Sequence, residues 1–139
     1  MNSDSDKTIP RFLTPIVETH CHLDYLSADA LQTTLDAATA QGIERIITIA
    51  VSPDNLDTVR DLAGEHPQVW CTQGIHPHEA SGWNQDVSDR VVAGCGQARV
   101  VAVGEIGLDY HYEHSDRVAQ AAAFDEQLQI AAQENLPVV

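Results

Sequence analysis

Four short apolar runs, each followed by a stretch with helical spacing, limit what this chain can fold into. The runs are Ile16 to Thr19, Ile43 to Val51, Val69 to Gly74 and Arg99 to Gly104. They are largely apolar rather than alternating, as expected of strands covered on both faces. Behind the first, Ser27-Ala28-Asp29 offers an N-cap and an acidic first turn, Leu31, Leu35 and Ala38 recur at helical spacing, and Gly42 closes the helix. Ser52-Pro53 reads as the cap and first position of a second helix that buries Leu56, Val59 and Leu62 and ends at His66-Pro67. Asp86 to Gly94 reads as a third helix. Ser115 is expected to cap a fourth, with Val118, Ala122, Leu128 and Ala132 on its buried face, and Leu136-Pro137-Val138-Val139 begins a fifth strand.

Strands thus start roughly every 25 to 35 residues, the length of a βα unit. A parallel sheet with helices outside follows, either an open doubly wound sheet or a β/α barrel. Polar stretches rich in His and acid follow the strand C-termini, where both architectures place their sites. Gly104 and Gly107 flank Glu105 but complete neither the dinucleotide nor the P-loop fingerprint. A barrel is therefore the expected architecture, with residues 1–15 as a polar N-terminal tail and 16–139 as the folded unit.

Charge narrows the choice of function. Acidic residues outnumber basic ones 21 to 7, the formal net charge is −14, and Lys7 is the only lysine. No basic stripe of the kind that grips a nucleic-acid backbone is available, so a phosphodiester substrate would need bound metal ions for positive charge. Cys21, Cys71 and Cys95 are far apart and form no C-x-x-C pair, which argues against a disulfide framework or a cysteine zinc cluster. The first residues lack a basic n-region and apolar core, and no apolar run approaches the ~20 residues that span a bilayer. A soluble, cytoplasmic protein is expected, without a membrane partner.

Three strand ends carry the chemistry. His20 and His22 sit two apart, so on a strand they project to one side while Cys21 points away. The bland alternative is a chance pair on a polar strand face. His76 and His78 follow the third strand, where Pro77 could also make them a stiffened turn. Glu105 and Asp109 follow the fourth, and Glu105 is the natural completing or bridging carboxylate for metal held by His20 and His22. His111 and His114 read as surface or substrate-facing, and His66 as a helix-end cation.

The stretches Glu18-Thr19-His20-Cys21-His22-Leu23-Asp24, Gly74-Ile75-His76-Pro77-His78 and Val103-Gly104-Glu105-Ile106-Gly107-Leu108-Asp109-Tyr110 resemble, in order, the signatures of TatD-family metal-dependent hydrolases. That resemblance implies a TIM (β/α)8 barrel, here truncated within the fifth strand, since family barrels run to roughly 250 residues. Residues 16–139 would be the N-terminal half. It implies a deoxyribonuclease that cleaves DNA phosphodiesters by metal-activated water, with two divalent ions drawn from Mg, Mn and Zn. His20 and His22 would bind the first ion, Glu105 would bridge both, and Asp109 would support them. His76 would line the site or support its ligands, and Asp24 and His78, which follow the first and third strands, are read as lining it too. The remaining ligands, two His and an Asp, would lie beyond Val139. Glu18 stands where the family usually has Asp. The chain alone is expected to be inactive, without an obligate protein partner, and prone to self-association through its open edges. Two alternatives stand beside this: an amidohydrolase-like enzyme acting on C–N or C–O bonds, and a noncatalytic metal-binding fragment.

Overall fold

The fold is that of a computed structural model, described for residues 10–139; residues 1–9 of the expected tail lie outside the described residues. The strands are β1 (Ile16–Cys21), β2 (Ile43–Thr48), β3 (Val69–Gln73) and β4 (Val100–Val103). The helices are α1 (Ala28–Gln41), α2 (Leu56–Glu65), α3 (Gln85–Cys95) and α4 (Arg117–Glu134), with single 3-10 segments at Leu23–Tyr25 and Pro77–Gly82. All strand pairings are parallel and the spatial order is β1-β2-β3-β4. A doubly wound sheet reverses its strand order at a switch point; this sheet does not, which is the order of a barrel. The sheet begins to extend further, because Val103 N donates to Pro137 O and Val139 N to Val103 O, at 2.9 and 3.0 Å. Only Val138 pairs there, so the expected fifth strand is a single bridge beside β4.

The core lies between the sheet and its helices. Leu35, Ile46, Leu56, Val59, Val69 and Val91 are buried there in one cluster. Burying a side chain such as Leu35 stabilises the fold by about 1.5–3 kcal/mol. The opposite sheet face is open. Val17, Arg45, Ile47, Trp70 and Val101 line a groove of about 260 Å³ on it, so the expectation of strands covered on both faces holds for the helix side alone.

Local chemistry corrects three further expectations. First, α2 starts at Leu56 rather than Pro53. The side-chain oxygen of Asn55 accepts from Val51 N and Ser52 N at 2.9 and 3.1 Å, which closes Ser52-Pro53 into a turn. Second, the cap of α4 is Asp116, whose carboxylate accepts from Ala119 N at 2.9 Å. Ser115 is buried instead and donates to His78 O at 2.9 Å. Third, the buried face of α4 carries Gln120, Ala123, Gln127, Ile130 and Ala131, whereas Val118, Ala122, Leu128 and Ala132 are exposed. Apolar spacing misplaced that face because two glutamines occupy it, each satisfied by loop backbone.

The strand ends that bear the polar residues are stitched together. The Thr72 hydroxyl donates to Gly104 O at 2.7 Å and accepts from Ala50 N at 3.1 Å. At Gly74 any Cβ would fall 2.7 Å from the Gly104 backbone, so this contact admits only glycine. The loops after β3 and β4 therefore leave the sheet side by side.

Candidate metal centre

His20 lies within β1, which runs two residues past its expected end, and His22 follows as the strand turns. Leu23, buried, anchors that turn, with its N–H donating to the Thr48 hydroxyl at 3.1 Å. The two imidazoles stand nearly perpendicular, with ring centroids 5.4 Å apart. Glu105 enters from β4, its N–H fixed on Ala50 O at 2.8 Å. Its carboxylate spans two partners, His20 Nε2 at 3.2 Å and His76 Nε2 at 3.4 Å.

One ligand atom each from His20, His22 and Glu105 lies within 4.8 Å of the others. Two imidazoles and one carboxylate suit a divalent transition ion, and the separations leave room for one. A further observation fits: His22 Nδ1 is buried with no hydrogen-bond partner among the described residues. These residues can hold a metal.

His76 is placed to act on the carboxylate. Its Nδ1 accepts from His78 N at 3.0 Å, so in the neutral ring the proton sits on Nε2, which then donates towards Glu105. Burial holds the His76 pKa below the usual histidine value, against the opposing pull of Glu105. The folded state therefore prefers neutral His76, and the stability it contributes is present above the ordinary histidine pKa and lost as pH falls through its own. By NMR, metal-free His76 should titrate below the ordinary histidine value, and Glu105→Gln should lower it further.

His78 belongs to a second group, with Nε2 2.8 Å from Asp109 Oδ2. Asp109 Oδ1 accepts from His111 N and Tyr112 N, at 2.9 and 3.2 Å. The hydrogen bond from His78, helped by these backbone donors, holds the Asp109 pKa below the usual carboxylate range. Asp24 turns to Asn55: one oxygen accepts from Asn55 Nδ2 at 3.0 Å, and the other is buried with no hydrogen-bond partner among the described residues.

The resulting cleft, about 290 Å³, is lined by His20, His22, Tyr25, Val51, His76, His78, Glu79 and Glu105. Asp24 and Asp109 are not among its walls. Tyr25, Val51 and Glu79 are additions that sequence reasoning did not supply. Nor did it supply the two glutamines of α4. Gln127 brackets Ile75, accepting from its N–H at 2.7 Å and donating to its carbonyl at 3.2 Å. Gln120 brackets Asp109 in the same way, at 3.0 and 2.9 Å. Their seven-residue spacing, two helical turns on one face, was the available signal.

A family described as TatD related DNase matches residues 17–139. The 3'-5' ssDNA/RNA exonuclease TatD of Cronobacter sakazakii is 39% identical over 101 residues, 73% of this chain and 38% of that protein. Its counterpart in Salmonella typhimurium is 36% identical over 73% of this chain and 39% of its own length. Among solved structures, the TatD homologue YjjV of Escherichia coli superposes with a TM-score of 0.82 at 30% identity, covering 88% of this chain and 49% of that one. A TatD-family hydrolase from Entamoeba histolytica gives 0.79 at 19% identity, over 94% and 50% of the two chains, and speaks for the fold. The chain thus spans about half of each solved relative and less of the curated ones. It belongs to the TatD-related DNase family of metal-dependent hydrolases.

Proposed function

We propose that this chain supplies the His20, His22 and Glu105 side of a metal-dependent phosphodiesterase that acts on single-stranded DNA or RNA. The observation that carries the reading is the convergence of those three ligand atoms beside a cleft. The nucleic-acid substrate is supported by the curated relatives, whose names specify 3'-5' exonuclease action on ssDNA and RNA. A divalent ion bound here would supply the positive charge that polarises a phosphoryl oxygen and lowers the pKa of water. Glu105 holds its ligand geometry between His20 and His76, and His76 keeps that carboxylate oriented. Asp109 orients His78 at the cleft wall. The trio could hold one ion, and a second would need further ligands beside Glu105. Mixed imidazole and carboxylate ligation is compatible with Mn, Zn or Mg.

A cytoplasmic place of work is supported by the cysteines. Cys21, Cys71 and Cys95 are all unpaired, as suits a reducing compartment. Among the described residues no helix is long and apolar enough to cross a membrane.

Joining residues 16–139 in register to the unmatched C-terminal part of the Cronobacter sakazakii relative tests the reading. The chimera should release nucleotides from a single strand in the presence of Mn²⁺ and lose that activity with His20→Ala. Cleavage of amide or lactone substrates without phosphodiester cleavage would instead support the amidohydrolase alternative.

A further inference from the structure

A nucleic-acid strand is a polyanion, and most proteins hold one with lysine and arginine. This cleft offers neither. Among the described residues its walls carry no lysine or arginine and two glutamates, Glu79 and Glu105. Arg60 pairs with Asp57, Arg90 reaches Pro53 O and Asp57, Arg99 lies over Trp70, and Arg117 pairs with Glu113 while lying over Tyr110. Arg45 lines the open sheet face. Within the cleft, electrostatics outside the metal therefore contribute little to holding a strand.

Aromatic faces are what the rim does offer. All three tyrosines of the chain, Tyr25, Tyr110 and Tyr112, follow the C-terminal ends of β1 and β4, and none is buried. Tyr25 lines the cleft and is 70% exposed. Its ring lies nearly parallel to His22, 15° off with centroids 5.1 Å apart, so one face is backed by an imidazole. With that backing the ring is held flat while most of its surface meets water. Tyr112, 66% exposed, is likewise stacked on His114 at 6.0 Å and meets His78 edge-on at 5.9 Å. Two backed, solvent-facing rings thus flank the cleft, one beside His22 and the other beside His78.

We propose that Tyr25 and Tyr112 are base-stacking platforms, and that the cleft grips a single strand by its bases rather than by its phosphates. This deepens the phosphodiesterase reading and rests on it. Stacking tolerates any base, because each has a π face, and it demands an unpaired strand, because a duplex hides those faces. Single-strand preference would then arise from this chain's own rim. Binding would also depend only weakly on salt, since few counterions are released beyond those displaced by the metal.

The test measures binding of the full chain, with Mn²⁺, to a labelled phosphorothioate decathymidylate and to an abasic strand of the same length and charge. The thymidylate should bind at least tenfold more tightly. Tyr25→Ala should weaken thymidylate binding by roughly 5- to 150-fold, the range of one base–aromatic stack. The same change should weaken abasic binding far less, and Tyr25→Phe should retain tight binding. Equal binding of the two strands, or a Tyr25→Phe variant as weak as Tyr25→Ala, would overturn the platform and leave the phosphodiesterase reading standing. Failure to bind either strand would overturn that reading and the platform with it.

Discussion

Glu105→Ala is expected to lower divalent-metal affinity by on the order of 100-fold or more, because removing groups that merely orient ligands already costs 10- to 100-fold. Glu105 does both jobs. It contributes one of three converging ligand atoms, and its two oxygens face His20 and His76. Its loss leaves two imidazoles with no negative charge to balance a dication. The fold should survive, since Glu105 is partly exposed and its backbone bond to Ala50 O remains. Calorimetric titration with Mn²⁺ checks the affinity, and thermal unfolding checks the fold. His78→Ala, outside the trio, should cost far less; an equal loss from both changes would mean that the cluster as a whole, not the trio, holds the ion.

Self-association, together with nuclease activity too low to detect, is the second large effect expected of the chain by itself. Among the described residues the outer edge of β1 is unpaired and the sheet face bearing Val17, Ile47, Trp70 and Val101 is open. Opposing this is the net charge of −14, which makes copies repel one another. The two effects respond differently to salt. At low ionic strength repulsion should keep the chain dispersed. At about 0.15 M the Debye length falls to about 8 Å and the apolar face should prevail. Sedimentation across a salt series reads this directly. A monomer at every salt concentration, or Mn²⁺-dependent cleavage by this chain that His20→Ala abolishes, would contradict it.

Much of the fold could be read from the chain because the apolar runs and the helix-ending signals agreed with each other. Gly42 caps α1 in a left-handed conformation, as its position after Gln41 implied. Errors came where a polar side chain took a structural role that composition hides. Asn55 delayed α2 by capturing the turn before it, and Gln120 and Gln127 took the buried face of α4 from Val118 and Leu128. Such residues look like surface until the loop backbone they satisfy is in view. The convergence of His20, His22 and Glu105 was legible because strand ends of a parallel sheet share one rim. The opposite role of His76, presenting an N–H to Glu105, was not legible, since it depends on a backbone hydrogen bond to Nδ1. The place of Tyr25 in the cleft was not legible, since a lone tyrosine after a strand carries no motif.

The central claim is that His20, His22 and Glu105 together hold a metal. Crystals of the chain soaked in Mn²⁺ and measured at the manganese absorption edge test it most directly. The account predicts one strong anomalous peak about 2.1 Å from a nitrogen of each histidine and an oxygen of Glu105. A peak between His78 and Asp109, or none in the cleft at saturating Mn²⁺, would contradict it.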